Sequence, residues 1–217
     1  MTRRIEAFLF DFGGVFTDSP FGAVEDFGRS IGADPRGVSA IVFGSYEHDG
    51  EHPWHRLERG EIGLEAAREL ILALGRERGL DIDIYRLFAR MADNGAGAGA
   101  RAALVETVRG LRGTGYRTGI ITNNVREFGD GWRALIPVDE LFEFVVDSSH
   151  VGVRKPDPRI YLMMCEHLGL EPAACVYLDD LGINCKPAAK LGMHAIKVTS
   201  GEQALADLSA ALGLELA

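Results

Sequence analysis

Two short apolar runs, far apart in the chain, each end on carboxylates. Ile5–Phe10 is closed by Asp11 and opens into Phe12-Gly13-Gly14, and Cys175–Leu178 is closed by the adjacent pair Asp179-Asp180. Apolar runs this short, followed at once by glycine or a helix start, read as buried parallel strands whose carboxyl ends emit loops. Open α/β sheets bind their ligands at those ends. Three carboxylates converging there repel one another unless a cation neutralises them, and hard oxygen donors suit Mg²⁺. The chain is therefore expected to build a metal-assisted carboxylate site.

Two further strand ends lie between these clusters. Arg117–Ile121 runs into Thr122-Asn123-Asn124, a hydroxyl and two amides in a turn. Glu143–Val146 is followed by Val153-Arg154-Lys155-Pro156-Asp157-Pro158, which fixes a lysine just ahead of a proline-bracketed helix start. One nucleophilic acid, one hydroxyl–amide turn, one lysine and one acidic pair thus occur in that order, each after a strand.

The connection between the first strand and the Thr122 strand holds about a hundred residues, where a compact βαβ crossover needs only a dozen or so. Residues 62–74 and 84–91 carry helical periodicity, and nothing from 18 to 93 reads as a strand. A helical cap over residues 18–95 is expected, inserted into an α/β core made of residues 1–17 and 96–217. The small-residue stretch Asn94–Ala100 suits a hinge or a plain loop between them. The core is expected to continue as helix 101–114, strands 117–122 and 143–146, helix 157–168, strand 174–179, helix 182–191 and strand 194–198. Strands alternating with helices imply a Rossmann-like parallel sheet with helices on both faces.

The motifs FLFDFGGVFT, GIITNN, GVRKPDPRIY and VYLDDLGINCKPAAKLGM together resemble the haloacid dehalogenase-like hydrolase superfamily over nearly the whole chain. The last two are most similar to the phosphatase-type N-terminal domain of soluble epoxide hydrolases and to the related domain of some acyl-CoA dehydrogenase fusions. The resemblance implies a Mg²⁺-dependent phosphomonoesterase acting on a small phosphorylated molecule, with Asp11 as the nucleophile that forms an aspartyl-phosphate. It places Asp11, the main-chain carbonyl of Gly13 and Asp180 on the metal, with Asp179 and Asn184 holding metal-bound waters, although the two adjacent acids can exchange those roles. Thr122 and the backbone N–H of Asn123 would bind the phosphoryl oxygens, and Lys155 would pair with Asp11 and the phosphate. Arg154 is expected to face solvent.

Gly13 departs from the pattern. Most phosphatases of this superfamily carry a second Asp there as general acid and base, a function worth roughly 10²–10⁴ in rate. Either the leaving group needs no acid, or a cap residue supplies the proton, or turnover is poor. Tyr46–His55, with His48, His52 and His55, is the candidate cap loop. Its histidine spacing also suits zinc, but Pro53 interrupts the helix that reading needs. Two alternatives stand beside the phosphatase: a 2-haloacid dehalogenase, whose Asp nucleophile needs neither the second acid nor a metal, and a phosphate-binding regulatory domain with little turnover.

Composition narrows the partners. The formal charge of −9 argues against broad contact with nucleic acid or an anionic membrane. No apolar stretch approaches the ~20 residues of a membrane span, so a cytoplasmic location is expected. Cys165, Cys175 and Cys185 lack metal-ligand spacing and read as reduced, buried thiols.

Overall fold

The computed structural model describes residues 4–93 and 99–213. Five parallel strands form one sheet in the order β3-β2-β1-β4-β5. They are β1 (Ala7–Phe10), β2 (Arg117–Thr122), β3 (Phe144–Asp147), β4 (Cys175–Asp179) and β5 (His194–Lys197). The chain steps outward from β1 through β2 to β3, then crosses back to β4 on the other side of β1. That reversal opens a crevice at the carboxyl ends of β1 and β4. Phe10 lies level with Ile120 on one side and Leu178 on the other, so Asp11 follows at the height of Asp179.

Alternation along the strands sends successive side chains to opposite faces. Phe8, Phe10, Ile120, Val176 and Leu178 pack on one face with Leu104 and Val108 of α6 (Gly99–Gly113) and Leu208 of the C-terminal helix. Ala7, Leu9, Ile121 and Tyr177 pack on the other with Ile160, Tyr161 and Met164. Both faces are thus covered, as the near-continuous apolar strands require.

Between β1 and β2 the chain forms α1 (Pro20–Ser30), α2 (Pro35–Val42), α3 (Pro53–Glu58), α4 (Leu64–Arg76) and α5 (Ile84–Asp93). These helices have a core of their own, in which Val24, Ile41, Trp54, Leu57, Ile71 and Leu87 pack together. The fold is a Rossmann-like α/β core with an inserted helical cap. Three of the cap helices open with proline at their first position, where the missing N–H costs nothing. Pro53 therefore starts a helix rather than breaking one. The strand expected to begin at Glu143 runs one residue later, and Asp147, its last residue, accepts from the backbone of Ser149.

Two single-turn helices flank β3, α7 (Val138–Leu141) before it and α8 (Ser148–Val151) after it. α9 (Pro158–Leu168), α10 (Gly182–Leu191) and α11 (Gly201–Leu212) complete the core. Gly99 and Ala100 already belong to α6, whereas 94–98, the rest of the expected hinge, lie outside the described residues. Among the described residues no helix is long and apolar enough to cross a membrane.

A carboxylate cluster beneath an aromatic cavity

The ends of β1 and β4 meet the turn before α9 at one place. Lys155, 1 % exposed, reaches from the turn before α9 and sets its Nζ 2.7 Å from Asp11 Oδ1 and 2.9 Å from Asp179 Oδ2. Carboxylate oxygens of Asp11, Asp179 and Asp180 lie within 4.8 Å of one another. Burial, with Asp179 and Asp180 nearby, pushes the Asp11 carboxyl well above the usual carboxylate range, and only Lys155 opposes the shift. Burial lowers the Lys155 ammonium, but Asp11 and Asp179 more than offset it and hold the group above its ordinary value.

The two adjacent acids differ in their surroundings. Asp179 is fully buried and saturated: Oδ1 accepts from the Leu181 backbone at 2.7 Å and Oδ2 from the Tyr177 hydroxyl at 2.5 Å and from Lys155, while Asn184 Nδ2 reaches both oxygens at 3.1 Å. Asp180 is only partly buried, and its carboxyl is raised by burial and by Asp179 against a hydrogen bond from Ser19. Gly14 makes room for it. A Cβ there would stand 2.2 Å from the Asp180 carboxyl, and the backbone has φ +76°, a conformation suited to glycine.

The donor set fits a hard divalent cation. Three carboxylates face one ammonium, and two of them have their pKa raised by burial and then by the neighbouring acids, both of which such a cation would offset. Asn184 Oδ1 is a buried acceptor with no hydrogen-bond partner, where a metal-bound water would find one.

The turn after β2 is tied to the lysine. The Asn123 side chain accepts from the Lys155 backbone N–H at 2.8 Å and donates to the Lys155 carbonyl at 3.1 Å. This amide holds the lysine's main chain, a function that sequence reading, concerned with the Asn123 N–H, missed. Thr122 is 6 % exposed and, with Asn123 and Gly13, lines a cavity of about 790 Å³ between the sheet and the cap. Phe43, Tyr46, Trp54, Phe88 and Trp132 form much of its wall.

Arg154 overturns the expectation that it faces solvent. It is fully buried, with Nε 2.7 Å from Glu58 Oε2, Nη1 3.3 Å from Asp49 and its guanidinium 5.0 Å from the centre of the Tyr46 ring. Glu58 also accepts from Trp54 Nε1 at 2.8 Å and Tyr46 at 3.2 Å, and its backbone carbonyl accepts from Ser148 at 2.6 Å. Arg154 and Glu58 therefore form a buried charge network between cap and core.

The cap histidines do not line the cavity. His52 caps α3 by accepting from the Trp54 N–H, and His55 is 2 % exposed beneath the cavity wall. Burial first, then Arg154 and His52, lower the His55 pKa to about 3, so its 3.7 Å approach to Asp49 is a contact of a neutral ring. The three cysteines are buried free thiols, as expected.

The family model for the haloacid dehalogenase-like hydrolases matches residues 5–192, and the chain belongs to that family. It is 33% identical over 216 residues to acyl-CoA dehydrogenase family member 10 of Mus musculus, covering 99% of this chain and 20% of that protein. It is 28% identical over 188 residues to bifunctional epoxide hydrolase 2 of Mus musculus, covering 81% of this chain and 33% of that protein. The chain thus spans a fifth to a third of the length of these two relatives. Against the putative phosphatase YhcW of Bacillus subtilis it is 28% identical over 200 residues, which cover 89% of this chain and 83% of that one.

The depressed His55 pKa sets a pH dependence of stability. The unfolded chain takes up the proton near pH 6.5 and the folded chain only near pH 3, so the contribution is complete above about 6.5 and is lost as pH falls toward about 3. In urea titrations between pH 7 and 4, His55→Gln is expected to lose stability less steeply than the wild type. Parallel slopes would show that His55 is not buried neutral.

Proposed function

We propose that this hydrolase is a Mg²⁺-dependent phosphomonoesterase acting on a small phosphorylated molecule through an aspartyl-phosphate at Asp11. The reading rests on one observation above others: a single lysine bridges Asp11 and Asp179 inside a cluster of three carboxylates that lacks balancing positive charge. A relative named as a phosphatase over most of its own length supports the same reaction class. The domain division that accompanies it is a core of residues 1–17 and 96–217 carrying the chemistry and a cap of residues 18–95 covering the substrate.

In this account Asp11, Asp180 and the Gly13 carbonyl hold the cation, and Asp179, already saturated by protein donors, acts with Asn184 on its waters. The cation, when bound, neutralises charge on the transferring phosphoryl oxygens. Phe12 N and Lys155 Nζ both donate to Asp11 Oδ1, which leaves Oδ2 as the attacking atom. Oδ2 bonds to phosphorus in line with the ester oxygen as the P–O bond to the alcohol breaks, and the departing oxygen takes a proton from water, since Gly13 offers no acid. A second water then attacks phosphorus, the bond to Asp11 breaks, and free phosphate leaves with the carboxylate restored. Lys155 keeps Asp11 ionised against burial and the neighbouring acids. Thr122 and the Asn123 backbone N–H hold the phosphoryl oxygens.

Asp11→Asn is expected to lower phosphate release roughly 10³-fold or more while leaving the thermal midpoint close to wild type. EDTA is expected to abolish wild-type activity, with recovery on adding Mg²⁺. Halide release from 2-chloropropionate that survives EDTA, with no phosphate released from any ester, would establish the dehalogenase alternative instead. Tight phosphate binding without turnover would establish the regulatory one.

Gly13 tests the missing acid directly. A Cβ added there meets nothing nearer than Pro20 Cδ at 4.0 Å, so the backbone at this position accepts a side chain. Gly13→Asp is expected to accelerate alkyl phosphate hydrolysis about tenfold or more and aryl phosphate hydrolysis little, because a good leaving group needs no protonation. Equal acceleration of both, or none, would mean that protonation of the leaving group does not limit the rate.

A further inference from the structure

The wall of the cavity that Thr122 and Gly13 line has a chemical bias. Ring contacts line it edge to face: Phe12 with Trp132 at 4.6 Å, Phe43 with Trp54 at 5.0 Å and Phe88 with Phe128 at 5.2 Å between centroids. Its volume of about 790 Å³ is in the range that encloses a small molecule rather than a single phosphate. The charged side chains on the wall are all acidic: Asp18, Asp26 and Glu58. Among the described residues no lysine, arginine or histidine lines it.

Glu58 is the most deeply buried of those acids, 4 % exposed, and its oxygens already accept from Trp54, Tyr46 and Arg154. Arg154, its counter-charge, stands behind the wall and does not line the cavity. Asp26 is taken up by Arg29 at 2.7 Å. An anionic group carried into this space would give up hydration and, among the described residues, find no cation on the wall in return. Lys155, which faces Asp11, is not among the residues of this wall. An uncharged apolar body loses nothing comparable and gains contact with the rings.

We infer that the substrates are phosphomonoesters of uncharged, apolar alcohols, and that the cavity discriminates against esters carrying a second negative charge, such as bisphosphates, nucleotides and phosphorylated carboxylic acids. The inference rests on the phosphomonoesterase reading and adds to it the class of alcohol.

Two non-hydrolysable ligands of one shape and different charge test it without requiring turnover: 4-carbamoylbenzylphosphonate and 4-carboxybenzylphosphonate, titrated calorimetrically into the full chain with saturating Mg²⁺. The neutral ligand is expected to bind about tenfold or more tightly than the carboxylate. Leu135→Lys, which places an ammonium at a lining position that is 63% exposed and outside the reaction chemistry, is expected to recover most of the carboxylate's deficit and to leave the neutral ligand's affinity within about twofold. Equal binding of the two by the wild type, or preference for the carboxylate, overturns the alcohol class while leaving the phosphatase reading intact. Failure of both phosphonates and of inorganic phosphate to bind overturns the phosphatase reading, and the alcohol class with it.

Discussion

Lys155 Nζ, shared between Asp11 and Asp179 in a site closed to solvent, is the contact on which the rest of the arrangement depends. A buried ammonium is costly unless anions face it, and two buried carboxylates are costly unless a cation does. Each requirement is met by the other, but not completely, because Asp180 joins the cluster and leaves it acidic. Much of the surrounding structure serves this balance. Asn123 clamps the lysine's backbone, Tyr177 and Asn184 occupy Asp179, and Gly14 yields the space that Asp180 fills. A parallel sheet is suited to this because three neighbouring strands end at one level and can each present a side chain to the same point.

A second buried charge cluster fixes the cap to that core. Arg154, adjacent in sequence to Lys155, is held by Glu58 of α3, while the carbonyl of the same glutamate accepts from Ser148, whose oxygen in turn accepts from the Asn124 N–H. One cap residue thereby touches both turns that flank the reaction site and also forms part of the cavity wall. Removing Arg154 would leave Glu58 buried without a counter-charge, and removing Glu58 would leave Arg154 only its 3.3 Å contact with Asp49, losses usually worse than removing both. Wall and reaction site are thus held in register by the same glutamate.

Much of the core was legible in the sequence because its constraints are local. Apolar runs ending on Asp11, Thr122 and Asp179 announce strands and their functional ends in the same few residues, and Asp157-Pro158 announces a helix start. The same punctuation at Ser19-Pro20, Asp34-Pro35 and His52-Pro53 marks three cap helices that hydrophobic periodicity alone left unread, since α2 and α3 are too short to repeat a pattern. Arg154 was illegible for a different reason. Its burial depends on Glu58, 96 residues earlier, and no local pattern carries a partner across that separation. The cap histidines drew attention by residue type, whereas the wall is formed by Tyr46, Trp54 and Glu58, their neighbours in the same segment.

The central claim, that this cluster arms Asp11 as a nucleophile toward phosphorus, is tested most directly by trapping the bond it forms. An aspartyl-phosphate is an acyl phosphate, which borohydride reduces to the alcohol, converting the residue to homoserine. After brief incubation with Mg²⁺ and phenyl phosphate and a borohydride quench, peptide mass spectrometry should find homoserine at position 11 and only in the sample given the ester. Phosphate release with position 11 unmodified and the label on another residue, or on none, would contradict the account.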